Sequence, residues 1–326
     1  MMAFFSVVIP VYNRADFVGR TIDSVLHQEL RDREIIIVDD GSTDNTINIL
    51  KRYGKQIKIL RQKNKGPGAA RNLGIEFSTG DYITFLDSDD LWFPWTLTTY
   101  KKAIIEHNYP DFVAGNELNF VYENELTSVD KYQVKFQYYS DYYASAYQNL
   151  WIGTCATAIR KDALDEVGGY CSQNINAEDS DIWLRLGVAK GFVYIQSPRV
   201  FAYRRHPDSE VANSFKSYQG KLHLIRQEKN QKYPGQKERE RERLHIITRH
   251  VRSHSLACLR QKDISKGWQL YRATFFWHLK LMRLRYLLGF LLIATRAISG
   301  SIFLVPVSVL LKRRITGNEV SRDFTN

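Results

Sequence analysis

YITFLDSDD, residues 82–90, decides the fold. Tyr82 to Leu86 are aromatic, β-branched or apolar, which suits a short buried strand. Asp87, Asp89 and Asp90 follow at once, with Ser88 between them. Carboxylates this crowded repel one another, and burying them unpaired is costly. A cation relieves the repulsion, and hard carboxylate oxygens suit Mg²⁺ or Mn²⁺. Magnesium usually takes one or two carboxylates and completes its shell with water and substrate phosphates. The stretch therefore reads as a strand end holding a metal and a diphosphate. A solvated acidic turn is the plainer alternative.

Outward from that strand the chain alternates between strand and helix patterns. Phe4–Pro10 is a β-branched, apolar strand closed by Tyr12 and Asn13, and residues 16–28 carry a helical apolar stripe of Phe17, Ile22, Val25 and Leu26. Glu34–Val38 is an uninterrupted apolar run, as expected of a strand covered on both faces. Asp39 to Asp44 form a polar turn, Thr46–Tyr53 a helix, Ile57–Leu60 a third strand, and Ala69–Phe77 a helix opened by Gly66-Pro67-Gly68. This alternation predicts βαβ units and a mostly parallel, Rossmann-like α/β sheet flanked by helices. In such sheets ligands bind beyond the carboxyl ends of the strands. The clusters Tyr12-Asn13, Asp39-Asp40-Gly41-Ser42 and Asp87-Ser88-Asp89-Asp90 all follow a strand directly, so they should converge on one rim.

Two phosphate loops can be tested. Gly66, Gly68 and Gly74 suggest a dinucleotide fingerprint, but Arg71 stands where its third glycine belongs, and no GxxxxGK[ST] occurs. Gly66-Pro67-Gly68 is then a tight turn or a flexible lip over a ligand. Arg71, on the first turn of its helix, can face a phosphate or lie exposed.

Composition sets the wider frame. The chain of 326 residues is 44% apolar and 25% charged, ordinary for one large globular domain or two. Its three cysteines (Cys155, Cys171 and Cys258) are far apart with no CxxC pair, which argues against a disulfide framework or zinc site and for a reducing compartment. The run MMAFFSVVIPVYN reads as a first strand rather than a signal peptide. Residues 1–215 hold 23 Lys+Arg against 28 Asp+Glu, and residues 216–326 hold 23 against 7. That asymmetry divides an acidic body, 1–215, from a basic extension, 216–326.

The runs IPVYNR (9–14), VDDGSTDNT (38–46), GPGAARNLGI (66–75) and FLDSDD (85–90), followed by AEDSDIWLRL (177–186), resemble the family-2 glycosyltransferases in order and spacing over roughly residues 4–210. Each motif is weak alone; five in order are specific. The resemblance implies a GT-A fold and transfer of a sugar, with inversion, from a nucleotide-diphosphate donor. It implies that Pro10, Tyr12, Asn13 and Asp40 line the nucleoside pocket, with Asp39 beside Asp40 and Asp40 accepting from the ring N–H of the base. Arg71 would approach the donor phosphates. Asp87 and Asp89 would form the DxD pair around Ser88, with Asp89 the more direct metal ligand and His206 a further candidate. Asp179 would be the catalytic base, with Trp183 and Arg185 bracing its helix.

The chemistry can be argued independently. A glycosyl donor leaves through an oxocarbenium-like state as negative charge grows on the β-phosphate, which a divalent metal stabilises as a Lewis acid. The acceptor hydroxyl needs one base on the opposite face. The predicted helix 179–190 favours an ionised carboxylate at its start through its dipole, opposed by neighbouring Glu178 and Asp181. On spacing alone these are ordinary first-turn carboxylates; the resemblance singles out Asp179.

Residues 91–176 are expected to carry acceptor contacts. Trp92, Phe93, Pro94 and Trp95 follow the acidic cluster, and Tyr138, Tyr139, Tyr142, Tyr143, Tyr147 and Trp151 form a second aromatic stretch. Aromatics can stack on sugars or fill the core. No Q-x-x-R-W segment and no set of long apolar spans follows, which favours single sugar addition over polymer extrusion.

The extension begins with a charged helical stretch, Tyr218–Arg260, in which Lys237–Arg243 reads as a solvated run. Residues 286–294 and 301–311 are apolar but each shorter than the about 20 residues a spanning helix needs. Arg296 lies between them, Pro306 interrupts the second, and Lys280, Arg283, Arg285 and Lys312, Arg313, Arg314 flank the pair. This fits interfacial helices on an anionic leaflet, hence a cytoplasmic protein peripheral on the inner face of the cytoplasmic membrane. A packed helical hairpin is the alternative, and one tilted span through Arg296 is a third. The expected partners are a nucleotide-diphosphate sugar and a glycan or lipid-linked acceptor, with an oligomer allowed for. Nucleic acid is disfavoured, because the cations border apolar stretches and no reading motif occurs. A catalytically silent sugar-nucleotide-binding scaffold at the membrane is the competing function.

Overall fold

The computed structural model describes residues 3–127, 129, 133–206 and 214–299. Strands β1 (Phe5–Val11), β2 (Arg33–Asp39), β3 (Lys58–Arg61) and β4 (Tyr82–Phe85) pair in parallel in the order β3-β2-β1-β4. Helices α1 (Val18–Leu26), α2 (Thr46–Lys51) and α3 (Pro67–Glu76) make the crossovers. Every residue of β1 is buried, as a strand covered on both faces requires. Val7 and Ile9 pack with Ile22 and Val25 of α1, whereas Val8 packs with Ala70 and Ile75 of α3. That alternation is the strand period of two.

Beyond β4 the sheet changes character. The later strands are β5 (Leu91–Trp92), β6 (Phe112–Phe120), β7 (Lys135–Tyr139), β8 (Thr157–Arg160) and β9 (Phe192–Arg204). β8 lies antiparallel between β4 and β6, and β9 runs parallel to β6. The outer edge of β9 pairs antiparallel with β7 along its first half and with β5 along its second. Parallel pairing thus dominates only the first half; the sheet as a whole is mixed rather than mostly parallel. After residue 90 the partners come from strands distant in sequence, β8 against β4 and β9 against β5, β6 and β7, rather than from successive βαβ units.

Helices α4 (Thr96–Glu106), α5 (Lys161–Glu166) and α6 (Glu178–Arg185) complete the body. The basic extension forms α7 (Ser214–Lys229), α8 (Glu240–Arg260), α9 (Ile264–Lys280) and α10 (Leu284–Ser299). Its first three helices pack onto the body, while α10 packs on α8 and α9 through Tyr286, Leu287 and Phe290. Leu224, Ile225, Ile246, Ile247, Val251 and Leu270 share one apolar cluster with Val8, Phe85, Phe112 and Ile182.

The charged stretch 218–260 is two helices, and the Lys237–Arg243 run at their junction is not simply solvated. Arg239 grips both oxygens of Asp141 at 2.7 and 2.8 Å and lies over the Tyr143 ring. Arg243 is buried and pairs with Glu228 at 2.9 Å. α6 also ends at Arg185, five residues short of expectation. The Gly66-Pro67-Gly68 lip is instead the start of α3, with Gly66 at φ +90° and Pro67 in the first turn. A Cβ at Gly74 would stand 2.3 Å from Val8 Cγ1, so α3 lies hard against β1. Residues 301–311, Pro306 and the cations 312–314 lie outside the described residues.

Candidate active site

The loops after β1 and β2 are knitted together. Asn13 takes the left-handed conformation at φ +50°, which asparagine tolerates. Its Oδ1 accepts from the Thr43 amide at 2.8 Å, and its own amide donates to Ser42 Oγ at 3.0 Å. Asp39 is fully buried, accepts from the Ser42 amide at 3.0 Å and pairs with Arg61 at 2.9 Å. Asp40, also buried, accepts from Gln62 Nε2 at 2.7 Å and from the amides of Lys65 and Gly66 at 2.9 and 2.8 Å. Those three bonds tie the entry to α3 against the rim. Pro10 is buried, whereas Tyr12 is exposed at the edge.

The acidic stretch after β4 sits in a shell of cations. Asp87 accepts from Arg71 Nη2 at 2.7 Å, and its amide donates to Cys155 Sγ at 3.2 Å. Asp89 Oδ2 lies 3.1 Å from both Arg14 Nε and His206 Nε2. His206 stacks on Phe17, with ring centroids 5.3 Å apart. Ser88 and Asp90 are buried. Asp90 accepts from the Arg204 amide at 2.8 Å. Burial, then the charges of Asp87 and Asp89, push its carboxyl well above the usual range, favouring the neutral form. Arg204 donates Nε to the Asp89 carbonyl at 2.8 Å and reaches Glu123 at 2.7 Å, so it fixes the turn that presents Asp89.

The second acidic group arrives on α6. Arg71, itself buried, donates Nη1 to Glu178 at 3.1 Å while Nη2 holds Asp87. One guanidinium thus joins the end of β4 to the start of α6, and Arg71 itself lies 107 residues before Glu178. Burial raises the Glu178 carboxyl, Arg71 opposes that, and the charge of Asp179 adds to it. Asp179 is half-buried, and its Oδ1 accepts from the amide and hydroxyl of Ser180 at 2.5 and 3.1 Å. Asp181 points elsewhere, to Arg185 at 2.8 Å, His223 at 3.1 Å and Tyr233 at 3.0 Å. Arg185 then donates to the carbonyls of Val167 and Gly169, bracing α6.

Among the candidates, then, Arg71 meets Asp87, Asp89 meets His206, and Asp179 follows the Glu178 that Arg71 holds. Arg14, Arg204, Cys155 and Glu178 carry much of this geometry without having been singled out as site residues. Arg14 closes the first motif and Arg204 stands two residues before His206, so both were in view; nothing marked Cys155. Of the expected acceptor aromatics, Trp92, Phe93 and Trp95 are buried, with Trp92 Nε1 on the Cys155 carbonyl and Trp95 Nε1 on the Arg199 carbonyl. They are core. Tyr142 and Tyr143 are buried too, while Tyr138, Tyr147 and Trp151 are exposed.

The donor set suits a divalent cation. Among the described residues Arg71 lies on the Asp87 carboxylate, and Arg14 and His206 lie on that of Asp89. A buried Asp90 oxygen has no hydrogen-bond partner among the described residues. Asp87, Asp90 and Cys155 bring ligand atoms within 4.8 Å of one another, of which the two carboxylates are hard oxygens suited to Mg²⁺ or Mn²⁺.

Comparison with known proteins bears on the family and the fold. The model of the family described as glycosyl transferase family 2 matches residues 6–168, half of the chain. An uncharacterised glycosyltransferase of Rickettsia bellii is 45% identical over 106 residues, 32% of this chain and 15% of that protein. The chain thus matches less than a fifth of the length of that relative. Staphylococcus aureus TarS 1–349 superposes with a TM-score of 0.63 at 16% identity, covering 93% of both chains, and it has also been solved with UDP-GlcNAc. A mannosyltransferase of Pyrobaculum calidifontis, in complex with GDP-Man and Mn²⁺, superposes at 0.55 with 18% identity, over 91% of this chain and 88% of that one.

Proposed function

The chain belongs to glycosyl transferase family 2 and has the GT-A architecture, and on that premise we propose that it is a metal-dependent inverting glycosyltransferase that adds single sugars from a nucleotide-diphosphate donor to a hydroxyl of a glycan or lipid-linked acceptor. The observation that carries the reading is the Arg71 bridge from Asp87 to Glu178. It brings the donor-binding rim and the start of α6 into one site, as a single displacement requires.

The nucleoside lies against Pro10, Tyr12 and Asn13. Asp39 and Asp40 form the floor, and a carboxylate with about four acceptor sites leaves Asp40, which uses three, able to take the ring N–H of a base. Asp89, Asp87 and His206 would hold the divalent ion, with Ser88 on the same turn. Bound there, the ion stabilises charge growing on the departing phosphate. Arg71 and Arg14 lie on the two carboxylates and supply positive charge on the same side. Asp179 takes the acceptor proton. Glu178 is spent on Arg71, whereas among the described residues only Ser180 hydrogen-bonds Asp179, and only at Oδ1.

Attachment to an anionic membrane surface belongs to the same proposal. No helix among the described residues is long and apolar enough to cross a membrane. α10 nevertheless exposes Leu284, Leu288, Leu291 and Leu292 on one stripe, with Arg285 exposed beside it.

The test is a panel of nucleotide sugars screened for thermal stabilisation with and without Mn²⁺. Saturating the site at about a hundred times Kd is worth about 2.7 kcal/mol. The matching donor should stabilise the protein only with metal, and Asp89→Ala should abolish that stabilisation. Stabilisation by a donor that is never hydrolysed or transferred would favour the silent scaffold instead. Stabilisation that is indifferent to metal and to Asp89→Ala would refute the metal assignment.

A further inference from the structure

Beside Asp179 stands a wall that the donor chemistry leaves unused. α8 carries His245, Arg249 and Arg252 at helical spacing along one face, with His250 next to them. Two exposed aromatics from the segment between β7 and β8 border it. The Trp151 ring lies 5.3 Å from His250 and is 62% exposed, and the Tyr147 ring lies 4.7 Å from His245 and is 50% exposed. From α7, Lys221 Nζ reaches the Asn176 carbonyl at 3.5 Å, two residues before Glu178. Its charge is felt by Asp179 and Glu178 on one side and by His250 and His254 on the other. The Tyr142 hydroxyl feels both Arg249 and Asp179. The wall and the candidate base are therefore neighbours.

The charge there is unbalanced. Among the described residues Arg249, Arg252 and Arg283 form no ion pair with a carboxylate, and buried Arg249 Nε and His254 Nε2 lack hydrogen-bond partners. Arg283 donates instead to Thr248 Oγ1 and the His245 carbonyl. The histidines add no charge at neutral pH. Burial and the neighbouring cations hold His245 and His254 at about 4 and push His250 well below the usual imidazole range. What remains is a row of guanidinium and ammonium groups beside solvent-facing rings. Guanidinium forks match phosphate and carboxylate, and an exposed indole offers a flat face for a sugar ring.

We propose that this wall binds the acceptor, and that the acceptor is an anionic glycan whose phosphate or carboxylate sits on Arg249, Arg252 and Lys221 while its sugar stacks on Trp151. The proposal rests on the glycosyltransferase reading and adds the charge class of the acceptor. A neutral acceptor would leave the cations uncompensated; an anion held there would neutralise them and deliver a neighbouring hydroxyl towards Asp179.

Calorimetric titration of the full chain with three soluble oligosaccharides decides it: a neutral oligomannoside, its phosphorylated counterpart and an oligogalacturonate. At least one anionic probe should bind tenfold or more tightly than the neutral one, and the tighter of the two tells phosphate from carboxylate. Arg249→Gln and Trp151→Ala should each weaken that binding tenfold or more. Arg260→Gln, at the exposed end of α8, should change it less than twofold. Trp151→Ala, at an exposed position, decides the matter if Arg249→Gln fails to fold. Equal binding of neutral and anionic probes, no binding at millimolar concentration, or equal losses in Arg260→Gln and Arg249→Gln would each overturn the proposal. Nucleotide-sugar stabilisation in the same preparation reports on the donor side: if it persists, only the acceptor class has failed.

Discussion

Arg71 is the residue on which most of the site turns. It is 3% exposed, and both terminal nitrogens hold carboxylates that would otherwise repel each other across the rim. Burial works against its charge, but Asp87 and Glu178 outweigh that and hold it firmly protonated. Breaking a fully buried pair from one side costs about 3–5 kcal/mol, and the lower end applies here because the carboxylates left behind, Asp87 and Glu178, are partly exposed and screened by water. Arg71→Met should therefore lose about 3 kcal/mol in urea unfolding and fall at least a hundredfold in sugar transfer. A loss below about 1 kcal/mol would mean that Asp87 and Glu178 separate freely without it. The sequence singled out Arg71 as a candidate phosphate contact but not its observed partner: the contact with Glu178 is made across 107 residues, and no local pattern carries that information.

At the scale of elements, β1, β2 and α1 formed within a few residues of expectation because their apolar runs are long and their turns polar. The basic extension was less legible. A charged run does not say which of its arginines will meet a buried carboxylate, so the break between α7 and α8 and the anchoring of Arg239 and Arg243 stayed hidden. α9 holds another such surprise in His278, which is fully buried against Tyr286 at 4.2 Å between ring centroids. Neither ring nitrogen has a hydrogen-bond partner among the described residues. Burial, then Arg283 and Arg252, depress it to about 3. In the unfolded chain it titrates near 6.5. Between those values the unfolded state binds more protons, so stability is full above about pH 6.5 and falls as the pH drops. Melting temperature should fall by about 5 °C or more from pH 7.5 to pH 5. His278→Leu should reduce that fall measurably; an identical fall in the variant would remove His278 as a cause.

Across the whole molecule, a parallel half that carries the acidic turn after β4 and a mixed half that supplies α6 share a core with α7, α8 and α9. The βαβ rhythm made the first half readable. The second half relies on β8 and β9, inserted by long-range pairing that no periodicity announces. The same helices carry the leucine stripe of α10 outward, and the membrane proposal is tested there without touching the core. Leu288→Glu with Leu292→Glu should reduce co-sedimentation with anionic vesicles at least tenfold and leave the melting temperature unchanged; undiminished sedimentation would locate attachment elsewhere. The central claim is that two distant acidic groups form one site with divided labour, Asp87 and Asp89 gripping the donor and Asp179 drawing the acceptor proton. Measuring transfer and donor affinity together in Asp179→Asn tests it most directly. The account predicts transfer lowered by a thousandfold or more with donor affinity within about threefold of the unaltered protein. Turnover close to that of the unaltered protein would contradict it.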